Sequence, residues 1–338
     1  MKKLTKALVF NLILIVMIFS AGNILREKWE YKSDQYKFRY EKMKDFSNSD
    51  TKTLFLGSSG SFTAINQAKI FENSGIPVFS LAHNLQSPFA SYHLFEDYIK
   101  ENKDVKLLFQ DILGLTREVN PNIEHHETNF FYALTAIDNK KGYIQGLKNE
   151  FDKDYTKGYY IPILKYHDRW NRLKIEDFFE IEDKEEITSF QVRKVKPVNF
   201  TPEYMKYDKN FKKSEVGEKY LTKIINLAKS NDIEVILYIL PKMDYTLNEI
   251  EEYHKFAKKH NLKIIDFTSE KLYTQLGIDT KTDFYDNAHL NYNGGKKISK
   301  YFANYISTNY PEYKENISNE TKQLFEKEIE IINRKYEK

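Results

Sequence analysis

Short apolar runs alternate with amphipathic stretches along most of the chain. Five of these runs have the continuous apolar character of strands buried on both faces of a sheet. We predict strands at residues 53–56, 76–82, 105–115, 233–240 and 262–267. Apolar positions at helical spacing predict helices at residues 64–74, 87–102, 215–230, 247–260 and 291–308. The alternation predicts an α/β fold with one parallel sheet covered by helices on both faces.

The alternation stops between residues 116 and 214. This stretch has no strand periodicity and contains charged and aromatic motifs such as "KYHDRW". We therefore predict an α/β domain over residues 51–310 with a large, partly helical insertion at 116–214. An insertion that follows the third strand leaves the sheet at its carboxyl edge, where open α/β folds bind ligands, so it is expected to form a lid or a partner surface. Residues 311–338 predict a charged, amphipathic C-terminal helix.

The N-terminal segment at residues 7–25 carries no charge. As a helix it would be about 28 Å long, close to the hydrocarbon thickness of a bilayer. Lys2, Lys3 and Lys6 precede it, which places the N-terminus in the cytoplasm and the rest of the chain outside. We predict a single-pass anchor over residues 1–25, followed by a charged stalk at 26–50. A cleaved signal peptide is the alternative, because "FSAG" offers small residues near the end of the segment.

Composition narrows the classes of function. The net charge is +3 with 30% charged residues, which gives no argument for nucleic acid as a partner. The chain has no cysteine, which excludes disulfides, thiol nucleophiles and thiolate metal sites. Aromatic residues make up 15% of the chain, and most of them are expected in the core. The histidine and glutamate run at 124–127 is a weak metal candidate because neighbouring loop side chains rarely converge on one ion. We predict no metal and no cofactor.

Two adjacent serines follow the first predicted strand in "TLFLGSS". Serine after a strand end often caps the next helix, and this explanation applies equally to Ser58 and Ser59. A serine at this turn would also expose its hydroxyl at the carboxyl edge of the sheet, next to the backbone N–H groups of a helix start. Such a serine can act as a nucleophile if a base and an orienting carboxylate are nearby.

A candidate base and carboxylate lie far away in the sequence, in "DNAHLNYNGG". Asp286 and His289 are three residues apart, just ahead of the last predicted helix. This spacing can put both side chains on one face, so that the carboxylate holds Nδ1 of the imidazole and leaves Nε2 free. An isolated pair of this kind is more often a surface turn, but here it accompanies a serine that follows the first strand.

These motifs resemble the SGNH (GDSL-type) hydrolase superfamily over roughly residues 53–309. Within it, "LFLGSS", "DNAHLNYNGG", "FSLAHNLQSP" and "KYHDRW" are similar to an extracytoplasmic, single-anchor branch. That branch includes the D-alanyl-lipoteichoic-acid biosynthesis protein DltD and proteins of surface-polysaccharide O-acetylation. The resemblance implies a three-layer, flavodoxin-like parallel sheet. It also implies Ser59 as nucleophile, His289 as general base and Asp286 as the carboxylate that orients it.

The resemblance is incomplete at the oxyanion donors. Enzymes of this superfamily usually supply a glycine from the second block and an asparagine from the third, whereas this chain has "NLQ" and "FQDILGL" there. The loss of one such donor typically costs about 3 kcal/mol of transition-state stabilisation. We name Gly57, Ser58, Asn84, Gln86 and His167 as candidate oxyanion or substrate-binding residues. His83 and His93 also come near the predicted crevice, although buried, hydrogen-bonded histidines are the plainer interpretation.

By this resemblance, the chain is expected to be a membrane-anchored serine acyltransferase or esterase outside the cell. It would form an acyl-serine and act on acetyl or D-alanyl esters of glycans or teichoic acid, with a membrane-bound O-acyltransferase as partner. Two alternatives stay open: a glycan deacetylase, and a non-catalytic accessory subunit of a membrane acyltransferase system. The acyl group, the acceptor and the oligomeric state do not follow from the sequence.

Overall fold

The computed structural model describes residues 2–26, 50–117, 130–131, 133–151, 156–178, 190, 192 and 206–337. The described strands are β1 (Thr53–Leu56), β2 (Val78–Ser80), β3 (Leu107–Asp111), β4 (Glu234–Ile239), β5 (Lys263–Asp266), β6 (Phe284–Asp286) and β7 (His289–Leu290). The described helices are α1 (Lys2–Leu25), α2 (Ser59–Ala64), α3 (Gln67–Ser74), α4 (Pro88–Glu101), α5 (Ile137–Phe151), α6 (Thr156–Tyr160), α7 (Pro162–Tyr166), α8 (Glu215–Ser230), α9 (Leu247–Lys259), α10 (Glu270–Gln275), α11 (Tyr292–Asn309) and α12 (Asn319–Tyr336). Short 3-10 turns lie at Leu113–Leu115, His167–Arg172, Ile175–Asp177 and Pro311–Lys314.

The chain forms two compact units. The first comprises Met1–Arg39 and Ile123–Glu186, and the second comprises Tyr40–Asn122 and Ile187–Lys338. Most of the predicted stalk, and the 124–127 run considered as a metal candidate, lie outside the described residues. Within the described part of the first unit, α1 is an apolar helix long enough to cross a bilayer by length and composition.

The second unit is an α/β fold built on a five-stranded sheet in the order β2-β1-β3-β4-β5. All four strand pairs are parallel. This is the flavodoxin-like strand order, in which the connections change direction between β1 and β3. The carboxyl ends of β1 and β3 therefore border the crevice where such folds bind ligands. The predicted α/β class and parallel sheet are confirmed.

Aromatic packing holds α11 across one face of this sheet. Phe302 is fully buried, and its ring centroid lies 5.0 Å from Phe55 of β1 and 5.0 Å from Phe109 of β3. Tyr238 of β4 and Phe267 complete the contact at 5.6 and 5.4 Å. Aromatic pairs of this geometry contribute beyond the area that they bury, by about 0.5–1.5 kcal/mol each. The high aromatic content thus serves the core, as predicted, and it fixes the helix that follows His289.

The structure differs from the predictions most clearly at one helix, one strand and one hairpin. The predicted helix at 64–74 begins only at Gln67, because Asn66 is its N-cap and accepts a hydrogen bond from Lys69 N, while Ser59–Ala64 forms the separate helix α2. The predicted strand at 105–115 stops at Asp111, where the carboxylate accepts the N–H of Leu113 and the chain enters a 3-10 turn. The antiparallel pair β6–β7 was not predicted, since it contains only three and two residues.

Candidate active site

Ser59 lies in the turn between β1 and α2. Ser58 occupies the N-cap position of α2, and among the described residues its buried hydroxyl has no hydrogen-bond partner. Ser59 is the first residue of the helix. The turn is so tight that a Cβ on Gly57 would lie 2.0 Å from Ser61 Oγ and 2.9 Å from Asp111 Cβ, which explains the glycine. Capping therefore accounts for neither serine side chain, and the Ser59 hydroxyl has a different partner.

A buried polar cluster of Ser61, Asp111 and Tyr238 supports this turn. Ser61 Oγ donates to Asp111 Oδ2 at 2.8 Å, and the Tyr238 hydroxyl donates to Ser61 Oγ at 2.8 Å. The backbone N–H groups of Leu113 and Ser58 also donate to the Asp111 carboxylate. Burial raises the pKa of Asp111 above its ordinary value, although these hydrogen bonds oppose the rise. The cluster fixes the backbone that carries Ser59.

Asp286 and His289 lie on the short hairpin β6–β7, half-exposed. His289 Nδ1 lies 2.8 Å from Asp286 Oδ1 and 3.0 Å from Oδ2. Ala288 N donates to Asp286 Oδ1 at 2.8 Å. Burial raises the pKa of Asp286, but the Ala288 N–H and the neighbouring imidazole outweigh it, so that the pKa is lowered overall. The ionised carboxylate accepts the Nδ1 proton and fixes the tautomer that leaves Nε2 as an acceptor.

Asn291 joins this hairpin to the start of α11. Its side chain is completely buried, and Nδ2 donates to the carbonyls of Thr282 and Phe284 at 2.7 and 3.0 Å. Oδ1 accepts the N–H groups of Asn293 and Gly294, which caps the helix. One asparagine thus sets the position of the hairpin relative to the helix that packs on the sheet.

Small residues on α11 bring the hairpin to the Ser59 turn. A Cβ on Gly295 would lie 2.6 Å from the Thr63 carbonyl of α2, so only glycine permits this approach. One turn further along, Ser299 Oγ donates to the Ala64 carbonyl at 3.0 Å and accepts Asn66 N at 2.9 Å. The helices α2 and α11 are therefore in direct backbone contact, and the residues just ahead of each helix become neighbours.

The result is a linear arrangement of hydroxyl, imidazole and carboxylate. His289 Nε2 lies 2.8 Å from Ser59 Oγ, on the opposite side of the ring from Asp286. In this geometry Nε2 can accept the serine proton while the carboxylate stabilises the imidazolium that forms. The structure therefore brings together the three residues predicted as a triad, and their catalytic role remains a prediction.

The predicted donors in the second block lie on the loop between β2 and α4. Asn84 and Gln86 are buried, and Gln86 Nε2 donates to Ser91 Oγ at 2.9 Å. The His83 ring stacks on Phe62 of α2 with centroids 5.4 Å apart, so the loop packs against the helix that begins with Ser59. Leu85, between Asn84 and Gln86, has a φ of 55°, in the left-handed region. The roles of Asn84 and Gln86 as oxyanion donors stay predictions.

Two other predicted positions have structural surroundings of their own. His167 lies in the first unit, where Nδ1 is 3.3 Å from the Leu164 carbonyl; its predicted substrate contact stays a prediction. His93 is buried on α4 between the rings of Phe89 and Tyr92, and burial lowers its pKa to about 3. His93 therefore stays neutral, in keeping with the packing role that was the plainer interpretation.

Sequence reasoning missed the buried cluster beneath Ser59. The available signal was Asp111, a carboxylate that ends an otherwise apolar strand, together with Ser61 two residues after Ser59. Asp111 lies in the third block of the resemblance, "FQDILGL", but was given no role there, and Ser61 lies just beyond "LFLGSS". Within the described ranges, no group of three or more histidine, aspartate or glutamate side chains is placed to hold a metal ion.

The chain was compared with family models, curated proteins and solved structures. No family model matches the chain, and no curated protein matches it. Among solved structures, it is similar to a GDSL-like lipase from Bacteroides thetaiotaomicron VPI-5482, with 11% identity, a TM-score of 0.38, and coverage of 80% of this chain and 99% of that chain. A likeness this distant says nothing of substrate, so function must come from the site itself.

Proposed function

We propose that this chain is an SGNH-type serine acyltransferase or esterase that works through an acyl-serine intermediate. The observation that carries the proposal is the hydrogen-bonded series Ser59–His289–Asp286, with 2.8 Å at each step. A serine, an imidazole and a carboxylate in this order perform acyl transfer on several unrelated folds. The position of Ser59 at the carboxyl end of β1, next to the switch point of the sheet, agrees with the usual ligand crevice.

The chemistry follows from the protons that these groups can hold. Ser59 Oγ attacks the acyl carbonyl carbon while His289 Nε2 takes the serine proton, and Asp286 stabilises the imidazolium. The C–O bond to the leaving alcohol breaks, and the alcohol takes the proton from His289. In the second half, His289 removes a proton from an acceptor hydroxyl, whose oxygen attacks the acyl-serine and releases Ser59. Backbone N–H groups in the first turn of α2 are the proposed oxyanion donors, with the Asn84 loop.

The proposed setting is the outer face of a cell membrane. Residues 7–25 would act as a single-pass anchor with the N-terminus in the cytoplasm. The proposed substrates are acetyl or D-alanyl esters of surface glycans or teichoic acid, with a membrane-bound O-acyltransferase as the donor of the acyl group. This part rests on the anchor-like helix and on the motif resemblance.

The nucleophile can be tested with the full chain in detergent. Ser59→Ala should abolish labelling by a serine-directed phosphonate and the release of acetate from an aryl acetate. Ser230→Ala is the matched control, because this exposed serine on the last turn of α8 has only local contacts: it donates to the Leu227 carbonyl at 2.9 Å and accepts from Asn231 Nδ2 at 3.4 Å. Ser58→Ala should still be labelled, since the Ser58 hydroxyl has no hydrogen-bond partner among the described residues that could take its proton. Labelling of Ser59→Ala would contradict the proposal.

Transfer and hydrolysis differ in the second half of the reaction. The acyl content of surface polymers should fall in cells that carry Ser59→Ala if the enzyme transfers acyl groups, and rise if it removes them. Unchanged acyl content together with loss of phosphonate labelling would support neither activity, and would favour the accessory subunit.

A further inference from the structure

The last turn of α1 is held by the segment at residues 160–178. Gly22 is buried against this segment, and a Cβ there would lie 2.9 Å from Ile163 N and 3.3 Å from Pro162 Cβ. Arg169 Nη1 donates to the carbonyl oxygens of Leu25 and Arg26 at 2.9 and 3.2 Å. The final carbonyls of a helix have no partner inside the helix, and a cation beside them also complements the helix dipole. The segment therefore closes the C-terminal end of α1.

Arg169 is held in place by a buried carboxylate. Its Nη2 donates to both oxygens of Asp177, at 2.8 and 3.0 Å, and Asp177 is completely buried. Lys174 N also donates to Asp177 Oδ2 at 2.8 Å. A buried ion pair is favourable only when its remaining hydrogen bonds are satisfied, which is the case here. Asp177 therefore fixes the guanidinium of Arg169 in the position where it contacts the end of α1.

Large apolar side chains beside these contacts are exposed. Leu164 is 51% exposed, Trp170 70%, Ile175 61% and Phe178 52%. Each lies within two residues of a group that contacts α1 or holds Arg169. Polar side chains would be expected at such positions on a water-facing surface. The exposed apolar groups therefore surround the end of an apolar helix.

If α1 crosses a bilayer, its length sets the depth at which residues 160–178 lie in that bilayer. The uncharged stretch at residues 7–25 spans about 28 Å, nearly the whole hydrocarbon layer. Gly22 lies three residues before its end, which is about 4.5 Å along the helix axis. A segment packed on Gly22 must then lie at the boundary between lipid tails and headgroups. Tryptophan is enriched at this boundary, which agrees with the exposed Trp170.

We infer that residues 160–178 form a second membrane contact, in which Leu164, Trp170, Ile175 and Phe178 insert into the phospholipid interface around the end of α1. The inference rests on the proposed anchoring of α1. Lysine, arginine and acidic residues nearly balance in this segment, so insertion is driven by apolar burial rather than by anionic lipid. The contact would hold the first unit against the membrane surface, beyond what a single flexible anchor provides.

Tryptophan fluorescence can test this inference on the full chain. The two tryptophans are Trp29 and Trp170, so Trp29→Phe leaves one probe at the segment. In phosphatidylcholine vesicles we expect quenching of Trp170 by bromines on the upper acyl chain, and protection from aqueous iodide. A depth standard is Phe19→Trp in a chain that lacks both native tryptophans; this probe should be quenched best by deeper bromines.

The packing on Gly22 gives a matched pair of variants. Gly22→Leu should separate the segment from α1, because its Cβ meets the Ile163 backbone, and Trp170 should lose quenching by bromolipids. Ser20→Leu adds the same side chain at an exposed position of α1 and should leave the quenching unchanged. Phosphonate labelling of Ser59 in the same vesicles reports the active site separately, so the two proposals can fail independently.

Three results would overturn the inference. Access of iodide to Trp170 without quenching by bromolipids would place the segment in water. Access of iodide in vesicles but protection in native membranes would assign this surface to a membrane protein instead. Absence of bromolipid quenching at the Phe19→Trp standard would overturn the anchoring of α1, and this inference with it.

Discussion

Two aspartates near Ser59, Asp111 and Asp286, have different surroundings, and these give the same type of side chain different properties. Asp111 lies in the buried cluster below the turn, where it accepts from three donors: the backbone N–H groups of Leu113 and Ser58 and the hydroxyl of Ser61, which in turn accepts from Tyr238. Asp286 lies on the half-exposed hairpin, where it faces His289 and the Ala288 N–H. Burial raises the pKa of Asp111, whereas hydrogen bonds and the imidazole lower the pKa of Asp286.

The difference predicts different functions for the two carboxylates. An orienting carboxylate must stay ionised while the imidazole gains a proton, which a lowered pKa permits. A buried carboxylate that bridges backbone groups instead determines local geometry, and it has no access to a reacting atom. We therefore expect Asp286 to affect rate and Asp111 to affect stability.

Asp286→Asn should give the largest loss of activity with the smallest loss of stability. The amide cannot hold the correct imidazole tautomer, so activity should fall by about 10⁴-fold, as in other triads of this type. The free energy of unfolding should change by less than about 1 kcal/mol, because the site is half-exposed and Asn can still accept the Ala288 N–H. Aryl acetate hydrolysis and urea unfolding measure the two effects. A loss of activity below tenfold would remove Asp286 from the triad.

Gly295→Ala should show the next largest effect on activity. The added methyl group would meet the Thr63 carbonyl, so α11 must move away from α2 and carry His289 away from Ser59. A displacement of about 1 Å can cost about 10²-fold in rate. Overpacking should cost about 1–3 kcal/mol of stability. Activity of the folded variant at a permissive temperature separates the two effects.

Gly60→Ala is the control for the effect of this substitution on stability. A Cβ on Gly60 lies 3.6 Å from Leu240 Cδ1, an ordinary contact, and the residue is helical. This variant should be as stable as the wild type, or more stable by up to about 1 kcal/mol. Equal losses of stability in both glycine variants would show that a methyl group on Gly295 does not force α11 away from α2.

Some of these features could be predicted from the sequence and others could not. The parallel sheet, the helix capped by Asn291 and the pair Asp286–His289 each have a local signal: apolar continuity, capping chemistry and spacing along the chain. Their meeting with Ser59 followed from the resemblance rather than from any periodicity. The contact that produces it depends on Gly295 and Ser299, whose small size has meaning only once α2 lies against them.

The buried cluster and the α1 contact could not be predicted for a related reason. Asp111 and Ser61 are fifty residues apart, and Arg169 meets the end of α1 across more than one hundred and forty residues. The sequence alone does not show whether a charged residue is buried, because burial depends on residues that are distant along the chain. The boundaries of short elements such as β6 and β7 have the same origin, since tertiary contacts rather than propensity define them.

Asp111→Asn should mainly reduce stability. Three donors point at the carboxylate, and an amide NH₂ placed there would face one of them without an acceptor. A buried donor left without a partner costs about 1–3 kcal/mol. Activity should fall less than in Gly295→Ala, because the turn can keep part of its geometry. Urea unfolding of the full chain in detergent micelles measures the loss; a change in activity as large as that of Asp286→Asn would contradict a purely structural role.

The smallest effect, and the most specific, should be the pH dependence of stability in these variants. The raised pKa of Asp111 gives a contribution to stability that is present below the ordinary value of 3.8 and is lost as pH rises through the folded pKa. The lowered pKa of Asp286 acts in the opposite direction: its contribution is present above 3.8 and is lost as pH falls through the folded pKa, and solvent screening makes it small.

The stability deficit of Asp111→Asn should therefore shrink from pH 4 upward, while that of Asp286→Asn should vanish toward low pH. Urea unfolding at several pH values tests both trends. If the deficit of Asp111→Asn grows with pH, the hydrogen bonds to Asp111 outweigh its burial, and the contrast between the two aspartates fails.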